Sequence, residues 1–332
     1  MHVGGPLIAV ALYAVLAAHV RSAYAEWSVI AENRTSYTTD AFQFSNARRL
    51  RFTEDPSQPT GVSLNKPQDV VWEPAAEIRD GLTSSLGHTF LSFKAQGVLY
   101  TNNPIFDHGN YRAQIEHAFT PDTSVLFRYR YTPDLFLGPN IEHRTGRQLI
   151  EGERVTSHIW RTEVMQRLAD AWTLGLIGRY GLRLYNEAFA ERNTHFWTGG
   201  PQVHYQLLSN VILNLGYLYE RGLADGRGNP TFDDDVSYRS YSISFGTDVR
   251  LTPVLSVSLI YLYQRKDFTS DLIGDTHNGR RDQSHQGIAE LKYSITSCSN
   301  LILAVQRTQR TSTNALRDFN DTITSLGGQI TF

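Results

Sequence analysis

Apolar and polar residues alternate with a period of two over much of this chain. In Ser124–Tyr131, Val125, Phe127, Tyr129 and Tyr131 share one face of an extended strand, and Arg128 and Arg130 share the other. Trp172–Leu184 sets Trp172, Leu174, Leu176, Tyr180, Leu182 and Leu184 against Thr173, Gly175, Arg179, Gly181 and Arg183. Val211–Tyr219 and Leu255–Tyr263 do the same, with leucine and valine in mid-strand and tyrosine toward one end. Weaker versions run through 111–119, 160–167, 240–249 and 289–295. A helix would need its apolar positions every 3.6 residues, so these segments predict strands.

The connections alternate as well. Short polar turns fall at 120–122, 169–171, 208–210, 252–253 and 296–299, and long polar stretches at 133–156, 222–236, 268–284 and 311–320. Strands are expected near 36–52, 70–82, 89–100, 110–119, 123–132, 157–168, 172–188, 194–207, 211–221, 238–251, 255–267, 285–295, 300–311 and 320–332. The count is fourteen, or twelve if the first two are absent. Strands of about ten residues joined by short turns at one end and long loops at the other predict an all-β, transmembrane antiparallel β-barrel. Its short turns and both termini would lie in the periplasm. A soluble sandwich would bury its leucine and tyrosine face against a second sheet and would not need this rhythm.

Composition adds to this picture. The mean hydropathy of −0.33 would suit a soluble protein, but every second residue of a barrel strand can face water. Seventeen tyrosines and five tryptophans suit aromatic girdles at a membrane interface. The net charge of −2 argues against nucleic-acid binding, and the single cysteine, Cys298, excludes an intramolecular disulfide and a cysteine-rich metal site. Leu7–Val20 is apolar and is followed by Ala23-Tyr24-Ala25, predicting a signal peptide over 1–25 cut before Glu26, although no Lys or Arg precedes the apolar run. That run is shorter than the roughly 20 residues of a membrane-spanning helix. The remainder, 26–332, reads as one barrel domain.

Charge collects on the inward parity. Arg112, Glu116, Arg128, Arg130, Arg161, Glu163, Arg179 and Arg183 are the candidate pore-lining residues, and Lys94, Arg167, Lys266, Lys292, Glu220, Asp248 and Glu290 share that parity. Two readings stay open: a partly positive lumen favouring anions, or arginine–glutamate pairs filling the interior. Pro133–Thr156 is the candidate for a constricting loop, with a solvated outer loop as the plainer reading. Asp233-Asp234-Asp235 and Asp267, Asp271 and Asp275 read as surface acidity, since neither set has a calcium-loop spacing. His277 with His285, and His143 with His158, have spacings that specify no metal. Ser157–His158 and Ser284–His285 are sequence neighbours pointing to opposite faces of a strand, so they assemble no nucleophile–base pair, and G-x-S-x-G is absent. No catalytic residue, metal or cofactor is expected, and no C-x-x-C-H haem site occurs.

The C-terminal fifth carries a more specific signal. It contains Asn278-Gly279-Arg280-Arg281-Asp282, the strand Gly287–Ile295, the stretch Leu301–Asp321 with Ser312-Thr313-Asn314 and Asp318-Phe319, and an ending on Phe332. In these elements the chain resembles a broad group of bacterial outer-membrane β-barrel porins. The resemblance implies an outer-membrane location and recognition of the closing strand, through Phe332, by the barrel-assembly machinery. The resemblance leaves the cargo open; the barrel and its charged inward faces give outer-membrane lipid and small hydrophilic solutes diffusing passively as the expected partners, anions being favoured in one of the two readings of that charge. The alternatives are a conduit working with a periplasmic partner in polysaccharide export or electron transfer, and a structural barrel with an occluded lumen.

Overall fold

The computed structural model describes residues 26–41, 67–147, 149–314 and 317–332. Fourteen strands close into one antiparallel barrel in sequence order: β1 (Glu26–Thr38), β2 (Asp69–Ser84), β3 (Gly87–Tyr100), β4 (His108–Thr120), β5 (Thr123–Ile141), β6 (Ile150–Ala169) and β7 (Trp172–Tyr185). They continue with β8 (Thr194–Leu208), β9 (Val211–Ala224), β10 (Tyr238–Thr252), β11 (Leu255–Phe268), β12 (Arg281–Ser294), β13 (Ser299–Ser312) and β14 (Phe319–Thr331). Closure leaves no sheet edge with unpaired backbone groups, which the interior of a lipid bilayer would not satisfy. No described helix is long and apolar enough to cross a membrane.

One face of every strand carries exposed apolar groups. Ile78, Phe93, Phe127, Leu176, Leu215, Phe245, Leu259, Leu303 and Leu326 are all exposed, in mid-strand, on the outer surface. A continuous apolar exterior of this extent is incompatible with water and fits lipid tails. Trp27, Phe119, Trp172, Tyr293 and Phe332 ring the short-turn end, and Tyr37, Trp72, Tyr111, Tyr180, Trp197 and Tyr261 ring the other. Rings pair across strands, Trp160 stacked on Tyr180 at 5.8 Å and Trp172 tilted against Tyr205 at 4.4 Å.

The alternation predicted from sequence is the alternation of the barrel, with two corrections. The first strand is β1 at 26–38 rather than 36–52, so β14 pairs with Ile30–Thr38, from Thr331 opposite Ile30 to Ile323 opposite Thr38. Val29 and Phe332 exchange backbone hydrogen bonds at 2.9 and 3.2 Å, which ties Phe332 into the closure. Residues 42–52 of the expected strand lie outside the described residues, as does the expected signal peptide. Outward Asn33 and Thr35 and inward Ile30 blur the contrast between the two faces of β1, which is why its alternation is hard to read. The second correction concerns Pro133–Thr156, expected as a loop. β5 runs to Ile141 and β6 starts at Ile150, giving strands of 19 and 20 residues, about twice what a bilayer requires. Two register shifts, at Thr132/Leu135 and Phe136/Gly138, take up Pro133, Asp134 and Leu137 as bulges, while Pro139 stays in register opposite Gly152. Asp134 and Gly138 take the positive φ values of 44° and 122° that such bulges need.

Candidate functional site: a basic inner wall and an outer clasp

All eight candidate pore-lining side chains point inward, and the register decides which of them meet. Gln114, Arg128, Arg161, Arg179 and Thr198 form one row across β4 to β8, each directly opposite the next. One step toward the long-connection end, Arg112 faces Arg130, and Ile159 and Gly181 continue that row. One step toward the short turns lie Glu116, Leu126, Glu163 and Ile177. Arg112, Arg128, Arg130, Arg161 and Arg179 are therefore one patch. Arg183 lies apart, near the mouth, where its Nη1 donates to Tyr238 Oη at 2.7 Å and its guanidinium sits 4.2 Å from the Phe196 ring. Glu116 lies on the acidic side of the patch, opposite Phe90 on β3 and Leu126 on β5.

Carboxylates satisfy only part of this charge. Glu163 pairs with Arg161 at 2.5 Å and also accepts from Gln202, and Glu77 pairs with Arg112 at 3.0 Å. Arg128 Nε donates to Gln114 at 2.8 Å, a neutral partner. Arg130 and Arg179 have no carboxylate within salt-bridge distance among the described residues, and Nε of Arg112, Arg161 and Arg179 is buried without a hydrogen bond. Five guanidinium groups with two paired carboxylates leave an excess of three positive charges. Like charges directly opposite on adjacent strands destabilise a sheet, so the patch is not an arrangement that folding alone favours. Five strands on from β5 and β6 around the ring the inner wall is nearly neutral, with Ser240, Ser242, Ser244, Ser256 and Ser258 facing inward on β10 and β11. The ion-pair reading holds elsewhere: Lys94 pairs with Glu32 on the β1–β3 wall, and Arg34 with Glu290 at 3.8 Å.

The long connections are locked to one another at the mouth. Arg192, between β7 and β8, donates Nη1 to Glu153 of β6 at 2.7 Å and Nε to Asp234, before β10, at 2.5 Å. His277, before β12, donates from Nδ1 to Asp275 at 2.9 Å and lies 3.4 Å from Asp234. Burial alone would raise the Asp234 carboxyl, but His277 and Arg192 outweigh it and hold it at about 2. Burial opposes ionisation of Asp275 too, and hydrogen bonds from His277 and Ser270 overcome it and lower its value. Arg192 is buried, yet Glu153 and Asp234 push its value up. Next to it, Glu191 is fully buried with neither carboxylate oxygen hydrogen-bonded and Arg144 at 3.8 Å, and burial raises its value.

This clasp revises part of the reading from sequence. Asp234, Asp235 and Asp275 are 2%, 2% and 6% exposed, so they are not surface acidity. Asp234, Asp275 and His277 bring ligand-type atoms within 4.8 Å of one another, a spacing a metal could use. Arg192 and the histidine already satisfy both carboxylates, and the arrangement is that of a salt-bridge clasp. Arg192 carried no sequence signal, because it lies in a short 3₁₀ turn and its partners are far along the chain. Arg144, just past β5, joins the same assembly, 5.7 Å from the Phe232 ring and 3.8 Å from Glu191. His158 and His285 point outward and meet Tyr129 and Tyr261 hydroxyls at 2.8 and 2.7 Å.

A closed 14-strand antiparallel barrel with an apolar exterior and a charged interior defines the outer-membrane β-barrel channel fold. The solved structure of the outer membrane channel DcaP of Acinetobacter baumannii is similar across 94% of this chain and 98% of its own, with a TM-score of 0.53 and 9% sequence identity. A bacterial polysaccharide outer membrane secretin is less similar, with a TM-score of 0.48 and 10% identity over 91% of this chain and 97% of its own. An anion-selective porin from Comamonas acidovorans gives 0.45 and 9% over 94% of this chain and 100% of its own. The sequence matches no protein-family model and no curated protein. At these identities the likeness is one of fold.

Proposed function

We propose that the protein is an outer-membrane channel for passive diffusion of small hydrophilic solutes, and that its basic wall favours anions. The apolar exterior and both aromatic girdles support placement in a membrane, and the similarity in fold to the A. baumannii channel supports the outer membrane. Fourteen strands make a barrel wider than the eight-stranded kind that side chains fill, and narrower than the large porins. The observation that carries the anion preference is the run Arg128, Arg161 and Arg179, with Arg112 and Arg130 beside it, against a serine wall. Fixed positive charge on one wall raises the local concentration of anions and lowers that of cations. One step toward the short turns, Glu163 is already paired with Arg161, and Glu116 adds one negative charge at that level of the lumen.

Reconstitution into planar bilayers tests this reading. Stable ohmic conductance steps, with a reversal potential in a KCl gradient on the chloride side of zero, are expected. Absence of conductance from correctly folded barrels overturns the channel, and a cation-selective reversal potential overturns the anion preference.

A further inference from the structure

Outside the lumen, the lipid-facing surface carries a second basic patch at the long-connection end of β9 to β12. Tyr219 and Tyr241 lie 5.4 Å apart there, and Tyr263 lies 5.1 Å from His285, so these rings mark the upper girdle. Beyond them along the strands come Arg221, Arg239, Arg265 and Arg281. Arg221 stands directly opposite Arg239, Arg239 opposite Asp267, and Asp267 opposite Arg281. Trp197 of β8 flanks the row opposite Arg221. Asp267 accepts from Arg265 at 3.0 Å and from Arg281 at 2.7 Å. Arg221 and Arg239 are exposed and have no carboxylate within salt-bridge distance among the described residues, Asp225 lying 3.9 Å from His195 instead. Four arginines and one aspartate leave an excess of three positive charges, with two of the arginines in the like-charge facing position that weakens a sheet.

The patch is local. On β1 to β4 the outward positions near the same rim are Tyr37, Val70, Leu99 and Tyr111, none of them charged. Directly below the arginines the outward face is apolar, with Ile243, Phe245 and Leu259 exposed. A ligand that fits both halves has anionic groups at the interface and hydrocarbon beneath. Three strand spacings separate β9 from β12, a span of about 14 Å. One phosphodiester would engage two of these side chains, whereas two phosphates on opposite ends of a disaccharide headgroup would engage all four. Guanidinium forks match phosphate oxygens in bidentate geometry.

We propose that Arg221, Arg239, Arg265 and Arg281 form a docking site for a diphosphorylated glycolipid of the lipid A type in the outer leaflet. Its phosphates bind the arginine row, and its acyl chains run down the Ile243–Leu259 face. The site requires the long connections to face the cell exterior, and it is independent of solute passage.

Native mass spectrometry of the full chain in detergent, titrated with hexa-acylated diphosphoryl lipid A, tests the proposal. The dephosphorylated analogue, a phosphatidylglycerol and inorganic pyrophosphate serve as comparisons. Diphosphoryl lipid A is expected to bind at least tenfold tighter than the dephosphorylated analogue and phosphatidylglycerol. Pyrophosphate should not displace it at equimolar concentration. The Arg221→Gln, Arg239→Gln, Arg265→Gln, Arg281→Gln variant should lose that margin. Equal binding of the phosphorylated and dephosphorylated lipids, a preference for phosphatidylglycerol, displacement by pyrophosphate, or an unchanged variant would each overturn the site. If the fourfold variant fails to fold, Arg221→Gln with Arg239→Gln leaves the Asp267 pairs intact, and the lipid comparisons on the unaltered protein remain decisive.

Discussion

Reversing Arg128 and Arg130 to glutamate removes two positive charges from the inner patch and adds two negative ones, a change of four. An ion passing about 8 Å from the wall in water feels roughly 0.5 kcal/mol from each unit charge. Screening at 0.1 M salt, where the Debye length is about 10 Å, cuts this to near 0.25 kcal/mol. Four charges then raise the barrier for an anion by about 1 kcal/mol and lower that for a cation equally, changing the chloride-to-potassium permeability ratio roughly 30-fold. At 1 M salt, with a Debye length near 3 Å, most of the shift should vanish. The barrel should tolerate the change, because Arg128 lies opposite Arg161 and Arg130 opposite Arg112, so the new carboxylates face arginines across the sheet. Each such pair contributes about 0.2–1 kcal/mol in the favourable direction. Reversal potentials in a KCl gradient at both salt levels measure the effect, with heat-dependent gel migration confirming the fold. A permeability ratio that moves less than twofold at 0.1 M, in a folded variant, would refute the assignment of this patch to the conduction path.

Three further expectations concern the clasp and the barrel wall. Arg192→Leu leaves the buried Glu153 carboxylate without its cation and Asp234 with His277 alone, a loss of about 3–5 kcal/mol, and should open the connections around 186–193 and 225–237 to protease while β1 to β14 stay protected. Asp234, at about 2, and Asp275 lie below the ordinary aspartate value of 3.8, so the clasp's stability is fully present above that value and is lost as pH falls through it toward 2. Pepsin cleavage within 225–237 and 269–280 should therefore rise steeply below about pH 3, and cleavage independent of pH would contradict this. Leu326→Arg places a charge in mid-strand on the lipid face of β14 and should lower unfolding free energy in bilayers by about 2–4 kcal/mol, measured by denaturant titration.

The legible part of this fold is the part that spans the membrane. A strand between lipid and lumen must alternate, so β5, β7, β9 and β11 can be read from Val125, Leu176, Leu215 and Leu259 and their polar neighbours. Beyond the bilayer that constraint ends. The upper halves of β5 and β6 pack among other connections, carry Pro133, Pro139 and Gly152, and need not alternate. The site divides in the same way. Parity alone turns Arg128, Arg161 and Arg179 inward, but their meeting in one row depends on turns and bulges, such as the shift between Arg167 and Ala169. The clasp was hidden for a different reason: Arg192, Asp234 and His277 come together only through tertiary packing of three connections.

Liposome swelling tests the central claim most directly. Liposomes containing the folded protein, placed in isotonic solutions of a neutral pentose or of a monoanionic sugar acid of similar size, report passage of each solute. The arginine wall and the 14-strand lumen predict swelling with both, faster with the anion. No swelling with either solute would contradict a channel, and faster entry of the neutral sugar would contradict the basic wall's role.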